Sequence, residues 1–206
     1  MHDLFTQFKN AFSYALPGVE AQYRMAHVIR PRPSKIPVNA KESAILALFF
    51  PNDDDWSLAL IQRNNDNPND RHSGQISFPG GRKENTDKNL EETALREAEE
   101  EIGIIKEDVR ILGALTDLYI PVSNFKVQGY VGLLPYKPDF TPNKSEVRTI
   151  LQPTISNLRD KNNLRHIDMK INPRITIKRV PYFAVDKHVV WGATAMMISE
   201  ILVMLE

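Results

Sequence analysis

One stretch restricts the fold more than any other: a glycine turn that runs into an uninterrupted, strongly charged helix. Between Asn89 and Ile102 the chain is rich in Leu, Ala, Glu and Arg and holds no Gly or Pro, which predicts a single helix. Asn89 and Glu92 have the spacing of a capping box, and Gly103 can take the left-handed conformation that stops a helix. Leu95, Ala98 and Ile102 form a narrow apolar stripe to bury, and Glu97, Glu100 and Glu101 share a different face.

Like charges at this spacing repel one another by a few tenths of a kcal/mol per pair, about 0.2–0.5 kcal/mol on an ordinary helix. A divalent cation reverses that sign. Hard ions such as Mg2+ take oxygen ligands and keep several waters, so clustered glutamates with a backbone carbonyl suit them. The Pro79-Gly80-Gly81 turn can bring such a carbonyl close, because glycine lets backbone approach. Glu91, Glu92 and Glu99 read as an ordinary solvated face.

The segment resembles the signature of the Nudix hydrolases: Gly, five residues, Glu, seven residues, then Arg-Glu-U-x-Glu-Glu-x-Gly-U, with U a bulky aliphatic. Arg96-Glu97-Ala98-Glu99-Glu100-Glu101-Ile102-Gly103-Ile104 matches the second half, with small Ala98 at the first aliphatic position. Counting from Gly81, the family's glutamate position holds Asp87, and one extra residue separates it from Arg96. The longer spacing resembles the coenzyme A pyrophosphatase branch. That branch carries a stretch like Leu60-Ile61-Gln62-Arg63 ahead of a run like His72-Ser73-Gly74-Gln75-Ile76-Ser77-Phe78-Pro79-Gly80-Gly81. In this chain the gap between the two is rich in Asn and Asp, and Arg71 sits one place closer to the glycine than the branch's arginine.

The resemblance implies an α+β fold, an α/β/α sandwich with a mixed sheet between helices and the signature forming a loop-helix-loop beside it. It also implies a diphosphatase. In this reading Glu97 and Glu101 are primary ligands of Mg2+ or Mn2+, Glu100 is a ligand or water-orienting carboxylate, and the Gly80 carbonyl is a further ligand. Arg96 orients a glutamate, since a guanidinium fork holds a carboxylate bidentately. Arg63, His72, Gln75, Gly81 and Arg82 are the candidate substrate contacts, flanked by Arg71 and Lys83. Glu100 is the first candidate for the general base and Glu146 the second, the latter because some members of the resembling family use a glutamate well downstream of the signature.

Composition narrows the alternatives. Lys plus Arg and Asp plus Glu are 26 each, so net charge supplies no drive toward nucleic acid or an anionic membrane. Cysteine is absent, which removes disulfides, thiolate metal sites and cysteine nucleophiles. No apolar run has the length of a membrane span, and Met1 to Asn10 lacks the pattern of a secretory signal, so the expected compartment is the cytoplasm.

Along the chain, Leu4, Phe5, Phe8 and Phe12 predict an amphipathic helix within the first fifteen residues, packing on the body or on a second subunit as a homodimer. Residues 1–40 are therefore expected to be a helix and extended arm on a hydrolase domain of residues 41–206. Ala44 to Phe50 and Trp56 to Gln62 predict a hairpin, with Asp53-Asp54-Asp55 as turn chemistry. Val109 to Leu118, Phe125 to Leu134 and Glu146 to Leu151 read as strands. Thr154 to Leu158 reads as a helical turn and Arg159 to Arg165 as a charged loop. Ile171 to Lys178 and Val180 to Val185 suggest a second hairpin, and Trp191 to Leu205 a closing helix with Trp191, Ala195, Ile198 and Leu202 on one stripe.

The resemblance implies coenzyme A or an acyl or oxidised derivative as the favoured substrate, with cleavage to adenosine 3',5'-bisphosphate and 4'-phosphopantetheine. The competing readings are a diphosphatase for ADP-ribose, dinucleotides or nucleoside triphosphates, and a catalytically silent nucleotide-binding regulator.

Overall fold

The computed structural model describes residues 3–32, 35–64, 74–172 and 175–206. Helix α1 spans Leu4–Ala11 and α2 Gly18–Tyr23. Strands β1 (Lys41–Asn52), β2 (Asp55–Leu58), β3 (Leu60–Arg63), β4 (Ile76–Ser77) and β5 (Gly80–Arg82) precede α3 (Leu90–Ile102). Then come β6 (Arg110–Ala114), β7 (Leu118–Ile120), β8 (Phe125–Leu133), β9 (Val147–Leu151) and α4 (Ile155–Arg159). Strands β10 (Leu164–Asn172), β11 (Ile175–Val185) and β12 (His188–Trp191) lead into α5 (Gly192–Met204).

The central sheet has the order β2-β1-β8-β6, with β5 also on β1 and β7 also on β8. Strands β1 and β8 run parallel and the other pairings are antiparallel, so the sheet is mixed. Two three-stranded sheets, β4-β3-β9 and β10-β11-β12, complete the α+β architecture expected from the sequence.

Strand β1 explains the layering. Successive side chains point to opposite faces, and the apolar run fills both. Ala44, Leu46, Leu48 and Phe50 join Ala94, Ala98 and Ile102 of α3, whereas Ala47 and Phe49 join Met196, Met197 and Ile198 of α5. The two helices therefore cover opposite faces of one sheet. Phe8 of α1 is buried against Phe49, with ring centroids 5.3 Å apart, and Ser199 Oγ of α5 donates to the Ala21 carbonyl of α2 at 2.7 Å. Among the described residues no helix is long and apolar enough to cross a membrane.

Several expected segments end differently. Trp56 to Gln62 is two strands: β2 pairs with β1, and β3 passes to the neighbouring sheet beside β9. The Leu58 amide marks the change of partner by donating to Pro153 at 2.9 Å. Val109 to Leu118 is also divided. At Thr116 the amide donates to Glu200 at 3.2 Å and the carbonyl accepts from Gln22 at 2.8 Å, so these groups leave the ladder between β6 and β7.

The second hairpin is displaced. Strand β10 begins within the expected charged loop, and β11 runs through Arg179 despite its φ of 51°. Asp168 makes that continuity tolerable: its carboxylate accepts from the Arg179 amide at 3.0 Å, beside the register irregularity at Ile167/Met169. A further hairpin, β11–β12, turns at Asp186 and Lys187. Trp191 ends β12 and caps α5 rather than lying within the helix.

Candidate active site

Helix α3 is built as its sequence predicts, with two differences that matter. Asn89 accepts from the Glu92 amide at 2.8 Å, but Glu92 returns its carboxylate to the Lys88 amide at 2.7 Å instead of to Asn89. Gly103 ends the helix at φ 70°. The second difference is Glu101, which does not share an open acidic face with Glu100. It lies beside Ala94, Ala98 and Ile102 and is only 1% exposed, whereas the Glu100 side chain is 55% exposed. A charged residue counts as polar in any periodicity argument, yet at this position the helix turns it inward.

The glycine turn closes over this buried carboxylate. The Gly80 amide donates to Glu101 Oε2 at 2.8 Å, and Arg63 Nη1 from β3 lies 3.4 Å from Oε1. Gly80 has φ 150°, and a Cβ there would come within 2.3 Å of the Ala44 carbonyl oxygen. At Gly81 a Cβ would lie 2.5 Å from the Glu97 carboxylate. Gly80 requires glycine because the clash is with backbone, whereas at Gly81 only the end of the Glu97 side chain would have to move, which places the turn directly against Glu97 and Glu101.

The electrostatics follow from this crowding. Burial pushes the Glu101 carboxyl up to about 8, offset in part by the Gly80 amide and Arg63 and reinforced by Glu97 and Glu146. Glu97 is also raised by burial, against the pull of Arg96 and with the repulsion of Glu100 and Glu146. These are carboxylates poorly compensated by protein alone. The donor set is hard oxygen, and a divalent cation would supply the charge that the pair lacks. Among the described residues no three acidic or histidine side chains already converge at ligand distance, so the fit rests on donor chemistry and on this uncompensated burial.

Arg96 is held by a residue that sequence reasoning left without a role. Its Nε donates to Asp87 Oδ1 at 2.8 Å and its Nη2 to Oδ2 at 3.0 Å, a bidentate fork. Nη1 then lies 3.1 Å from both Glu97 Oε1 and Glu100 Oε2. Asp87 is 6% exposed and also accepts from Thr93 Oγ1 and the Glu84 amide, each at 2.9 Å. The guanidinium and these donors hold the Asp87 carboxyl well below the usual range, and the same pairing raises Arg96. Counted from Gly81, Asp87 stands where the resembling signature has glutamate, and that position was the signal for it.

Glu146 reaches the same place by a different route. The connection after β8 satisfies the last carbonyls of α3: the Thr141 amide donates to Ile102 and the Asn143 amide to Glu101, each at 3.0 Å. That fixes the entry to β9, where Val147 pairs with Arg63. Glu146 stays exposed, accepts from Asn143 Nδ2 at 3.2 Å, and its charge bears on both Glu97 and Glu101. Of the other candidates, Gln75 lines a cleft beside Gln62. The Arg82 carbonyl accepts from Arg96 at 3.3 Å while its residue is exposed, and Lys83 lies 4.0 Å from Glu42. His72 and Arg71 lie outside the described residues.

Helix α3 thus brings a buried and a half-buried carboxylate against a glycine turn, with an arginine held in register beside them. The NUDIX domain model matches residues 40–159, more than half the chain, and the chain belongs to the Nudix family as a hydrolase of the pyrophosphohydrolase class. Members of this family typically depend on divalent metal and act on nucleotide-like small molecules. The chain is 36% identical over 131 residues to a Pectobacterium atrosepticum protein called uncharacterized Nudix hydrolase NudL, covering 64% of this chain and 67% of that one. A Klebsiella pneumoniae protein of the same name is 32% identical over 175 residues, covering 84% and 88% respectively. A MutT/nudix family protein of Enterococcus faecalis shares the fold, with a TM-score of 0.51 and 17% identity over 91% of this chain and 73% of that one.

Proposed function

We propose that the protein hydrolyses the diphosphate linkage of coenzyme A, or of an acyl or oxidised derivative, to adenosine 3',5'-bisphosphate and 4'-phosphopantetheine. The observation that carries the diphosphatase chemistry is buried Glu101 with half-buried Glu97 beside it under the Gly80-Gly81 turn, and Arg63 3.4 Å from Glu101. Support for coenzyme A comes from the resemblance of the Gly74 to Gly81 run and the Leu60 to Arg63 stretch, which pair through β4 and β3.

A diphosphate resists hydrolysis because its anionic oxygens repel a nucleophile, so the site must neutralise charge and deliver water in line. Glu97 and Glu101 would hold Mg2+ or Mn2+, with Glu100 and the Gly80 carbonyl as further ligands. Such an ion, when bound, screens phosphoryl oxygens and makes its water a stronger acid. Arg96, fixed by Asp87, keeps Glu97 and Glu100 in one orientation. Arg63 meets a phosphate oxygen at the rim of the carboxylates, with Gly81 allowing the substrate backbone-close approach and Gln75, Arg82 and His72 as flanking contacts. Glu146 takes the proton from the attacking water: its charge faces the pair, whereas Glu100 is engaged by Arg96.

The test is turnover by purified protein of coenzyme A, ADP-ribose, a dinucleoside polyphosphate and nucleoside triphosphates, each with Mg2+ or Mn2+, alongside Glu101→Gln. The expected result is cleavage of coenzyme A that is lost in the variant. Turnover confined to another substrate would retain the centre and remove the coenzyme A assignment. Nucleotide binding without turnover of any substrate would move the protein to the regulator reading.

A further inference from the structure

A cleft of about 530 Å3 borders β3 and β4 and, apart from Gln75, lends no residue to the mechanism above. Gln62, Gln75 and Ile76 line it from β3 and β4, and Lys187, His188 and Trp191 line it from the β11–β12 hairpin. It adjoins the centre at the end of β3: the Arg63 amide donates to the carbonyl of the cleft-lining Gln75 at 3.1 Å, and the Arg63 side chain lies 3.4 Å from Glu101. Ordinary strand alternation would separate the Gln62 and Arg63 side chains. The register irregularity opposite this step lies on β9, where Arg148 is the extra residue between the partners of Gln62 and Arg63, so the cleft and the centre meet around the end of β3 and not across one face.

The lining has a particular chemistry. The hairpin is anchored to the same floor, since Thr194 Oγ1 just after Trp191 donates to the Ile76 carbonyl at 2.9 Å. Trp191 supplies a flat aromatic surface, and two carboxamides, Gln62 and Gln75, supply both donors and acceptors. The Nδ1 atom of His188 is buried without a hydrogen-bond partner, which is costly unless a ligand satisfies it. Lys187 is exposed at the hairpin tip, where an ammonium can meet a phosphate as a point charge. A slender pantetheine arm needs neither the flat surface nor the cation. A purine nucleoside bearing a ribose phosphate uses both.

Resting on the diphosphatase reading, we infer that this cleft is the subsite for the nucleoside end of the substrate. The base stacks on Trp191 between the glutamine carboxamides, and Lys187 engages the phosphate on the ribose. This assigns specificity to a hairpin distant in sequence from the signature. It also places the scissile diphosphate at Arg63, one strand position from the base subsite.

The experiment uses full-length protein carrying Trp56→Phe, so that Trp191 is the sole remaining indole of the two in the chain. Fluorescence is titrated with adenosine 3',5'-bisphosphate, adenosine 5'-monophosphate and 4'-phosphopantetheine, before and after Lys187→Ala. Both adenosine ligands should quench Trp191. Lys187→Ala should weaken the bisphosphate about tenfold while leaving the monophosphate within about twofold, as expected for one lost charged contact. Quenching by 4'-phosphopantetheine alone, equal weakening of both adenosine ligands, or no quenching would overturn the subsite. Because binding is read without turnover, the two readings fail separately. Adenosine ligands that quench in a protein inert toward coenzyme A keep the subsite and discard the substrate. Coenzyme A cleavage with an unchanged KM in Lys187→Ala keeps the substrate and discards the subsite.

Discussion

Helices α3 and α5 are each 13 residues long, cover opposite faces of the same sheet, and each bury a glutamate. Glu200 of α5 is 0% exposed, and both its oxygens are matched: Oε2 accepts from Gln22 Nε2 at 2.8 Å and Oε1 from the Thr116 amide at 3.2 Å. Those partners come from α2 and from the link between β6 and β7, so the carboxylate ties three segments together. Glu101 is 1% exposed and has one amide at 2.8 Å and an arginine at 3.4 Å, with two further carboxylates bearing on it. The same residue type at the same depth is thus a fastening in one helix and, in the other, a carboxylate that Gly80 and Arg63 only partly offset. A fastening improves stability, whereas an uncompensated charge costs stability and is useful only for binding or chemistry.

Substitutions should separate the two roles. The largest effect expected is on turnover: Glu101→Gln should lower kcat about 100-fold or more with Mg2+, while the melting temperature of the metal-free protein stays level or rises. A parallel fall in stability would erase the distinction between the helices. Glu200→Ala should show the reverse, losing about 2–4 kcal/mol in denaturant unfolding through a cavity and an orphaned amide, with kcat retained in the folded fraction.

The pH dependence of stability sharpens the same comparison. Glu101 has a folded pKa of about 8 against an ordinary 4.5, so the folded state binds its proton more tightly. The extra stability is fully present below the unfolded value and is lost as pH rises through about 8. Arg63, Glu97 and Glu146 face this carboxyl and set how much is lost. With chelator present, unfolding free energy should fall by roughly 2–4 kcal/mol between pH 5 and 8, and Glu101→Gln should flatten that slope. Asp87 has the opposite sign, since its pKa is depressed and its stabilisation is lost only in acid. Asp87→Asn should reduce kcat about tenfold by loosening Arg96, with KM little changed and partial recovery in Asp87→Glu. The smallest effect is at the cap: Asn89→Ala should cost about 1 kcal/mol and leave catalysis intact.

The two helices were also unequally legible in the sequence. For α3, composition, the Asn89 cap and Gly103 located the element, and the arginine and glutamate spacing pointed to the site. The burial of Glu101 was hidden because a pattern of apolar residues cannot register a carboxylate on the apolar stripe. Asp87 was hidden by the one-residue offset from the signature. For α5, the apolar run was plain, but Trp191 belongs to β12, because the left-handed Gly192 at φ 63° begins the helix. Of the cleft, only Gln75 was legible: Lys187 and His188 sit in the short β11–β12 hairpin, which the sequence pattern did not place. Strand formation depends on cross-strand packing that leaves little local pattern.

The most direct measurement of the central claim is Mn2+ binding at pH 7.5, followed by electron paramagnetic resonance, to wild type, Glu101→Gln and Glu200→Gln. The account predicts that Glu101→Gln weakens Mn2+ by about tenfold or more, and that Glu200→Gln, where it folds, binds as wild type does. Equal Mn2+ affinity in wild type and Glu101→Gln would contradict the claim that the buried carboxylate of α3 exists to hold a metal ion.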